Sequence, residues 1–124
     1  MDKLKFISEQ MESIGIPYEF MEWTSEITYP YYVGEITEDT VEAEDGEEHS
    51  TMLLTGFSRG KMIDLIKDKD KIKSHFPPVY GRRGQTDGGA IAVFFDGFFP
   101  IPSGEADLYK IQINLQIIEM KGAV

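Results

Sequence analysis

The chain contains no cysteine. That absence removes disulfide frameworks, thiolate metal sites, thiol nucleophiles and thiol redox chemistry together, and it suits a reducing compartment. Long apolar runs are missing too. The longest, Ala90 to Phe95, has six residues, whereas a helix crossing a bilayer needs about twenty. The start, MDKLKFISEQ, mixes charged and apolar residues where a secretory signal has an unbroken apolar core, so a soluble protein without an N-terminal export signal is expected. Basic residues are few, 12 against 22 acids. The net charge of −10 argues against general nucleic-acid binding, because neutralising backbone phosphates takes an excess of Lys and Arg.

What is present is globular. At 124 residues, 41% hydrophobic and 12% aromatic, the chain lies outside the composition of disordered sequences and has the size of one domain. Its charge is unevenly placed: residues 1–48 carry a net −12 and residues 49–124 a net +2. Glu35, Glu38, Asp39, Glu42, Glu44, Asp45, Glu47 and Glu48 follow one another with no Lys or Arg between them. Residues 59–83, which include Arg59, Lys67, Lys71, Arg82 and Arg83, carry a net +5.

Leu4, Ile7, Met11 and Ile14 recur at helical spacing, predicting an amphipathic first helix with Lys3, Glu9 and Glu12 outward, stopped by Gly15 and Pro17. Tyr18 to Trp23 alternates and is rich in strand-favouring aromatics. A second strand is expected from Tyr29-Pro30 to about Val41, the proline suiting a strand start or edge. Asp45-Gly46 signals the turn of a long acidic hairpin, about 35–50, whose returning arm runs from Ser50 to Phe57. Its charged tip would keep an exposed edge from random pairing.

From Lys61 the period changes. Met62, Leu65/Ile66, Lys69, Ile72 and Phe76 follow helical spacing, with acids early and lysines late as the helix dipole favours, until Pro77-Pro78 ends a second helix. The glycine-rich Gly81 to Gly89 reads as a mobile loop within a flexible stretch over about 77–89. Ala90 to Phe95 reads as a buried strand and Phe98 to Gly104 as a two-proline connection. Ile111, Ile113, Leu115 and Ile117 alternate with Gln112, Asn114 and Gln116 in the clearest strand of all. The order α-β-β-β-α-β-β predicts a single α+β domain over 1–124, with a mostly antiparallel sheet packed by two helices on one face. The other face is left for solvent or another subunit.

No motif points to catalysis. His49 and His75 have no metal-ligand or nucleophile spacing, and surface or helix-capping roles account for them. Asp96, Glu105 and Asp107 flank the proline-rich connection and form the one carboxylate group that an acid/base pair or divalent-cation site would use, against the plainer reading of turn acids. Gly81-Arg82-Arg83-Gly84 lacks every phosphate-loop spacing, although its arginines suit phosphate or a partner's carboxylates. The acidic arm lacks calcium-loop spacing. Tyr29, Tyr31 and Tyr32 suit edge packing or a protein interface better than nucleic acid, having no basic neighbours.

Four segments together resemble a family: Tyr29-Pro30-Tyr31-Tyr32-Val33-Gly34-Glu35, Leu53-Leu54-Thr55-Gly56-Phe57-Ser58-Arg59-Gly60, Gly89-Ala90-Ile91-Ala92-Val93-Phe94-Phe95, and Asp107 to Leu115. Their pattern is similar to the tail terminator, or tail completion, proteins of head-tail joining in long-tailed bacteriophages and prophages. The resemblance implies an α+β subunit that is no enzyme and holds no cofactor. It implies a ring, typically a hexamer, in the virion at the head-proximal end of the tail tube, made in the host bacterial cytoplasm. Its partners would be itself, the tail tube protein and the head connector or neck protein, with DNA only passing through the lumen and no membrane involved.

A ring needs two different patches per subunit. The expected interface residues are Glu38, Glu42, Glu44, Asp45 and Glu47 on the acidic arm, Arg59, Arg82 and Arg83 on the basic stretch, and Tyr31 and Tyr32. The competing expectation is a small ligand- or cation-binding domain or enzyme using Asp96, Glu105 and Asp107.

Overall fold

The computed structural model describes residues 2–38, 47–86 and 88–121. In chain order these form α1 (Asp2–Ser13), β1 (Tyr18–Phe20), β2 (Tyr31–Glu38), β3 (Glu47–Arg59), α2 (Met62–His75), β4 (Arg82–Thr86), β5 (Gly89–Ile101) and β6 (Leu108–Lys121). The strands make one sheet, ordered β1-β2-β3-β6-β5-β4. This is an α+β arrangement with two differences from expectation. A strand is added between α2 and β5, and β1 runs parallel to β2. Because β1 is three residues long, the irregular return from Met21 to Pro30 is enough to bring the chain back beside it in the same direction.

Both helices cover the same face. Tyr32, Met52, Leu54, Ile111, Ile113, Leu115, Ile117, Ile91 and Val93 point inward and pack with Ile7 and Met11 of α1 and Leu65 and Ile72 of α2 in one buried cluster. Helix α1 touches both edge strands, β1 and β4, so the sheet curls around it. Helix α2 lies over β3, β6 and β5. Its end is tied down where the Phe76 N–H donates to the Ile72 carbonyl at 2.9 Å and the Phe95 N–H donates to the Phe76 carbonyl at 2.9 Å.

The segment expected to be a mobile loop is strand β4, paired antiparallel with β5 from Arg82 opposite Val93 to Thr86 opposite Gly89. Arg82, Gly84 and Thr86 share its helix-facing side, and a Cβ on Gly84 would stand 2.3 Å from Phe6 Cε1. Glycine is what lets α1 come this close. It also erased the apolar alternation that marks a strand in sequence. Strand β5 likewise continues through the expected connection: Asp96-Gly97 forms a bulge, with Gly97 at φ 130°, and pairing resumes at Phe98 opposite Ile113.

Lys3 is a further correction. Expected outward, it is 3% exposed, and its ammonium donates to Ser50 Oγ at 3.2 Å while pairing with Glu38 at 2.5 Å and Glu119 at 3.3 Å. The turn expected at Asp45-Gly46 lies outside the described residues; on either side of it β2 and β3 pair antiparallel, with Glu38 opposite Ser50.

Candidate functional site

The face of the sheet away from the helices has no element packed on it among the described residues. Register places its side chains in rows. Tyr31, Phe57, Lys110 and Ile101 form one, and Val33, Thr55, Gln112 and Phe99 form the next. The chain after β1 folds over one end of these rows and converts them into a cleft of about 340 Å³, lined by Met21, Glu22, Trp23, Tyr31, Phe57 and Lys110 among others.

The cleft wall is an aromatic chain. Trp23 and Tyr31 rings lie 4.9 Å apart, Tyr31 stacks on Phe57 at 4.9 Å, and Tyr29 lies 5.6 Å from Tyr31. Two cations rest on it: Lys110 Nζ sits 5.6 Å from the Phe57 centroid and the Arg59 guanidinium 5.4 Å from that of Tyr29. Contacts of this kind hold the cations flat and contribute about 0.5–1 kcal/mol each at exposed positions. Arg59 also reaches Glu105 at 3.4 Å. Burial, foremost, together with Tyr29 raises the Tyr31 phenol above its ordinary value, so it stays neutral at any physiological pH.

The rim is fixed by hydrogen bonds rather than by regular structure. Glu19 Oε1 accepts from the Thr24 N–H at 3.0 Å and the Thr24 hydroxyl at 2.8 Å. Hydrogen bonding by Ser25 and then Thr24 holds that carboxyl down at about 2. Trp23 Nε1 donates to the Glu26 carbonyl at 3.3 Å. Met21 stands at φ 69°, a left-handed conformation unusual for its type, with its side chain 60% exposed over the cleft.

The chain matches no protein-family model and no curated protein. The surface must therefore be read from its own chemistry.

Among the described residues, the expected interface residues are spread over the fold. Glu38 is engaged by Lys3 on the helix side of the sheet, and Glu47 lies 2.6 Å from His49. Glu42, Glu44 and Asp45 lie outside the described residues. Arg59 is at the cleft, while Arg82 and Arg83 are on β4 at the far edge. Tyr31 faces outward as expected. Tyr32 does not: it is fully buried under α2, its hydroxyl donating to Asp68 Oδ2 at 3.3 Å, because neighbouring residues of a strand point to opposite faces. Trp23, Phe57 and Lys110 escaped the sequence reading, although Tyr31-x-Val33, Thr55-x-Phe57 and Lys110-x-Gln112 alternate on three strands that prove adjacent.

The carboxylates of the competing reading are dispersed. Asp96 accepts from Gln116 Nε2 at 3.0 Å in mid-sheet, whereas Glu105 and Asp107 lie in the β5–β6 turn, some five residues and roughly 16 Å further along the strand. Among the described residues no three His, Asp or Glu side chains stand close enough to share a metal ion.

Arg82 has a structural task. Its Nε donates to the His75 carbonyl at 3.0 Å and its Nη2 lies 3.2 Å from His75 Nδ1, while His75 Nε2 lies 2.7 Å from Gln10 Oε1. The imidazole thus accepts at Nδ1 and donates from Nε2, which requires the neutral ring. Burial, then the Arg82 charge, holds its pKa below the ordinary value. A depressed histidine pKa means the unfolded chain takes up the proton first. The stability this group contributes is full above about pH 6.5 and is lost as pH falls through the region below. Thermal unfolding between pH 7.5 and 5 should show a drop in Tm that is shallower in His75→Gln; equal slopes would contradict the assignment.

Proposed function

We propose that the protein is a structural assembly subunit of the tail-terminator type, forming a ring at the head-proximal end of a phage tail tube. There it stops tube polymerisation and presents a docking surface to the head connector. The observation that carries this reading is the open sheet face, where preorganised aromatic rings flanked by charge line a shallow cleft. Tyr, Trp and Phe at the centre with charge at the rim is the composition of protein interfaces. Rigid rings in fixed rows lose little entropy on association. The four-segment resemblance supplies the kind of assembly, and the two-layer α+β architecture agrees with what that resemblance implies.

Light scattering on the purified protein, alone and with the tube protein of the same genome, tests the proposal. A ring, or a monomer that halts tube growth at substoichiometric amounts, is the expected result. A monomer that leaves tube growth unchanged would end it.

A further inference from the structure

The two most exposed large apolar side chains of the described residues are adjacent. Val79 and Tyr80, each 77% exposed, project from the α2–β4 connection. This connection is stiff. Pro77 and Pro78 fix its backbone, the Gly81 N–H donates to the Pro77 carbonyl at 2.8 Å, and Arg83 Nε donates to the Tyr80 carbonyl at 3.4 Å. Gly81 is itself pressed against the Phe94 ring, where a Cβ would stand 2.7 Å from the ring edge. An apolar pair held outward on such a turn is a preformed knob.

The aromatic cleft is a preformed hole at the other side of the sheet. The cleft reaches from β2 to Gln112 of β6, which stands opposite Phe99, whereas Arg82 at the start of β4 stands opposite Val93, six residues or roughly 20 Å back along β5, so the knob is remote from the cleft of its own chain. Each feature carries groups the other can pair with, acids at the cleft and arginines beside the knob. From Phe6 to Ser58 the sequence has no Lys or Arg, and Glu22 and Glu35 line the cleft. Arg82 and Arg83, both exposed, follow the knob after Gly81. The cleft's own cations, Lys110 and Arg59, lie on its aromatic rings.

Resting on the assembly reading above, we infer that the Val79-Tyr80 knob of one copy seats in the Trp23–Tyr31–Phe57 cleft of the next. The contact is head-to-tail, with Arg83 brought toward Glu22 and Glu35. Such heterologous contacts close into rings when the rotation between copies permits. The paired charges set orientation and encounter rate more than final affinity.

Because the chain has no cysteine, crosslinking can test this directly. Met21→Cys and Tyr80→Cys chains are purified separately, mixed and oxidised, both positions being exposed enough to leave the fold intact. The expected product is the mixed disulfide in excess of either homodimer, which captures the contact even where it is weak. In parallel, Val79→Asp/Tyr80→Asp is expected to lose the assembled species in light scattering while keeping the wild-type melting curve. Homodimers alone, or no disulfide, would overturn the inference. So would crosslinking of Met21→Cys to the tube protein in place of Tyr80→Cys. If wild type and the double variant both form rings, the knob is wrong and the assembly reading stands; if wild type neither assembles nor caps tubes and no mixed disulfide forms, both fall.

Discussion

Gly56→Val is expected to destabilise the protein by roughly 3 kcal/mol or more. Gly56 stands directly opposite Tyr32 across β2 and β3, and the Tyr32 ring occupies the space a side chain at 56 would take. A Cβ at position 56 would be 2.3 Å from Tyr32 Cε2 and 2.8 Å from Cζ. The ring has nowhere to go. It is fully buried, and its hydroxyl is tied to Asp68 on α2. Overpacking a core costs about 1–3 kcal/mol, and displacing the phenol also breaks a partly buried hydrogen bond to a carboxylate, worth about 1–3 kcal/mol more. Against a total stability of about 5–15 kcal/mol that is a large share. Urea unfolding of Gly56→Val, Tyr32→Leu and the double variant would measure the coupling. The smaller residue at 32 opens space, so the double variant should be less destabilised than the two single changes added together. A Gly56→Val protein within about 1 kcal/mol of wild type would mean that the ring does not pack there.

A second core-facing glycine, Gly84, explains why some of the fold is legible in the sequence and some is not. Helix α2 and strand β6 are legible directly, since Leu65 and Ile72, or Ile111, Ile113, Leu115 and Ile117, repeat at the period of their element and are buried. Strand β4 is not legible because a strand is recognised by the side chains it buries, and β4 turns Gly84 inward against Phe6. Its pairing partner is visible only in three dimensions. Lys3 was misplaced for a related reason: helical periodicity assigns charge to water, and nothing local says that two carboxylates from β2 and β6 will meet it. The cleft was half legible. Tyr31 was singled out, but Phe57 and Lys110 join it from strands 26 and 79 residues away in sequence, through a register the sequence does not print.

Lys3→Met is the substitution that tests this buried charge. It keeps the apolar stem and removes the cation, leaving Glu119, its side chain 19% exposed, without the ion pair it shares with α1. Breaking a dry ion pair by deleting one partner costs about 3–5 kcal/mol. Here Glu38 is 53% exposed and recovers water, so a loss of about 2 kcal/mol is expected. Adding Glu119→Gln should return about half of it, because the stranded charge goes too. The pH dependence has a definite sign. Burial opposes the ammonium, but the hydrogen bonds and charges of Glu38 and Glu119 more than offset it and raise the Lys3 pKa above its ordinary value. A raised lysine pKa gives stability that is full below about pH 10.4 and is lost as pH climbs through the folded-state value. Tyr18, pushed up to about 12 by burial, acts in the same direction, since the unfolded chain releases its phenolic proton first. Urea titrations from pH 8 to 11 should therefore show wild type losing stability faster than Lys3→Met. If the two curves ran parallel, the ammonium would be making no net contact with those carboxylates, and α1 would be held to the sheet by its apolar side chains, Phe6, Ile7 and Met11 foremost.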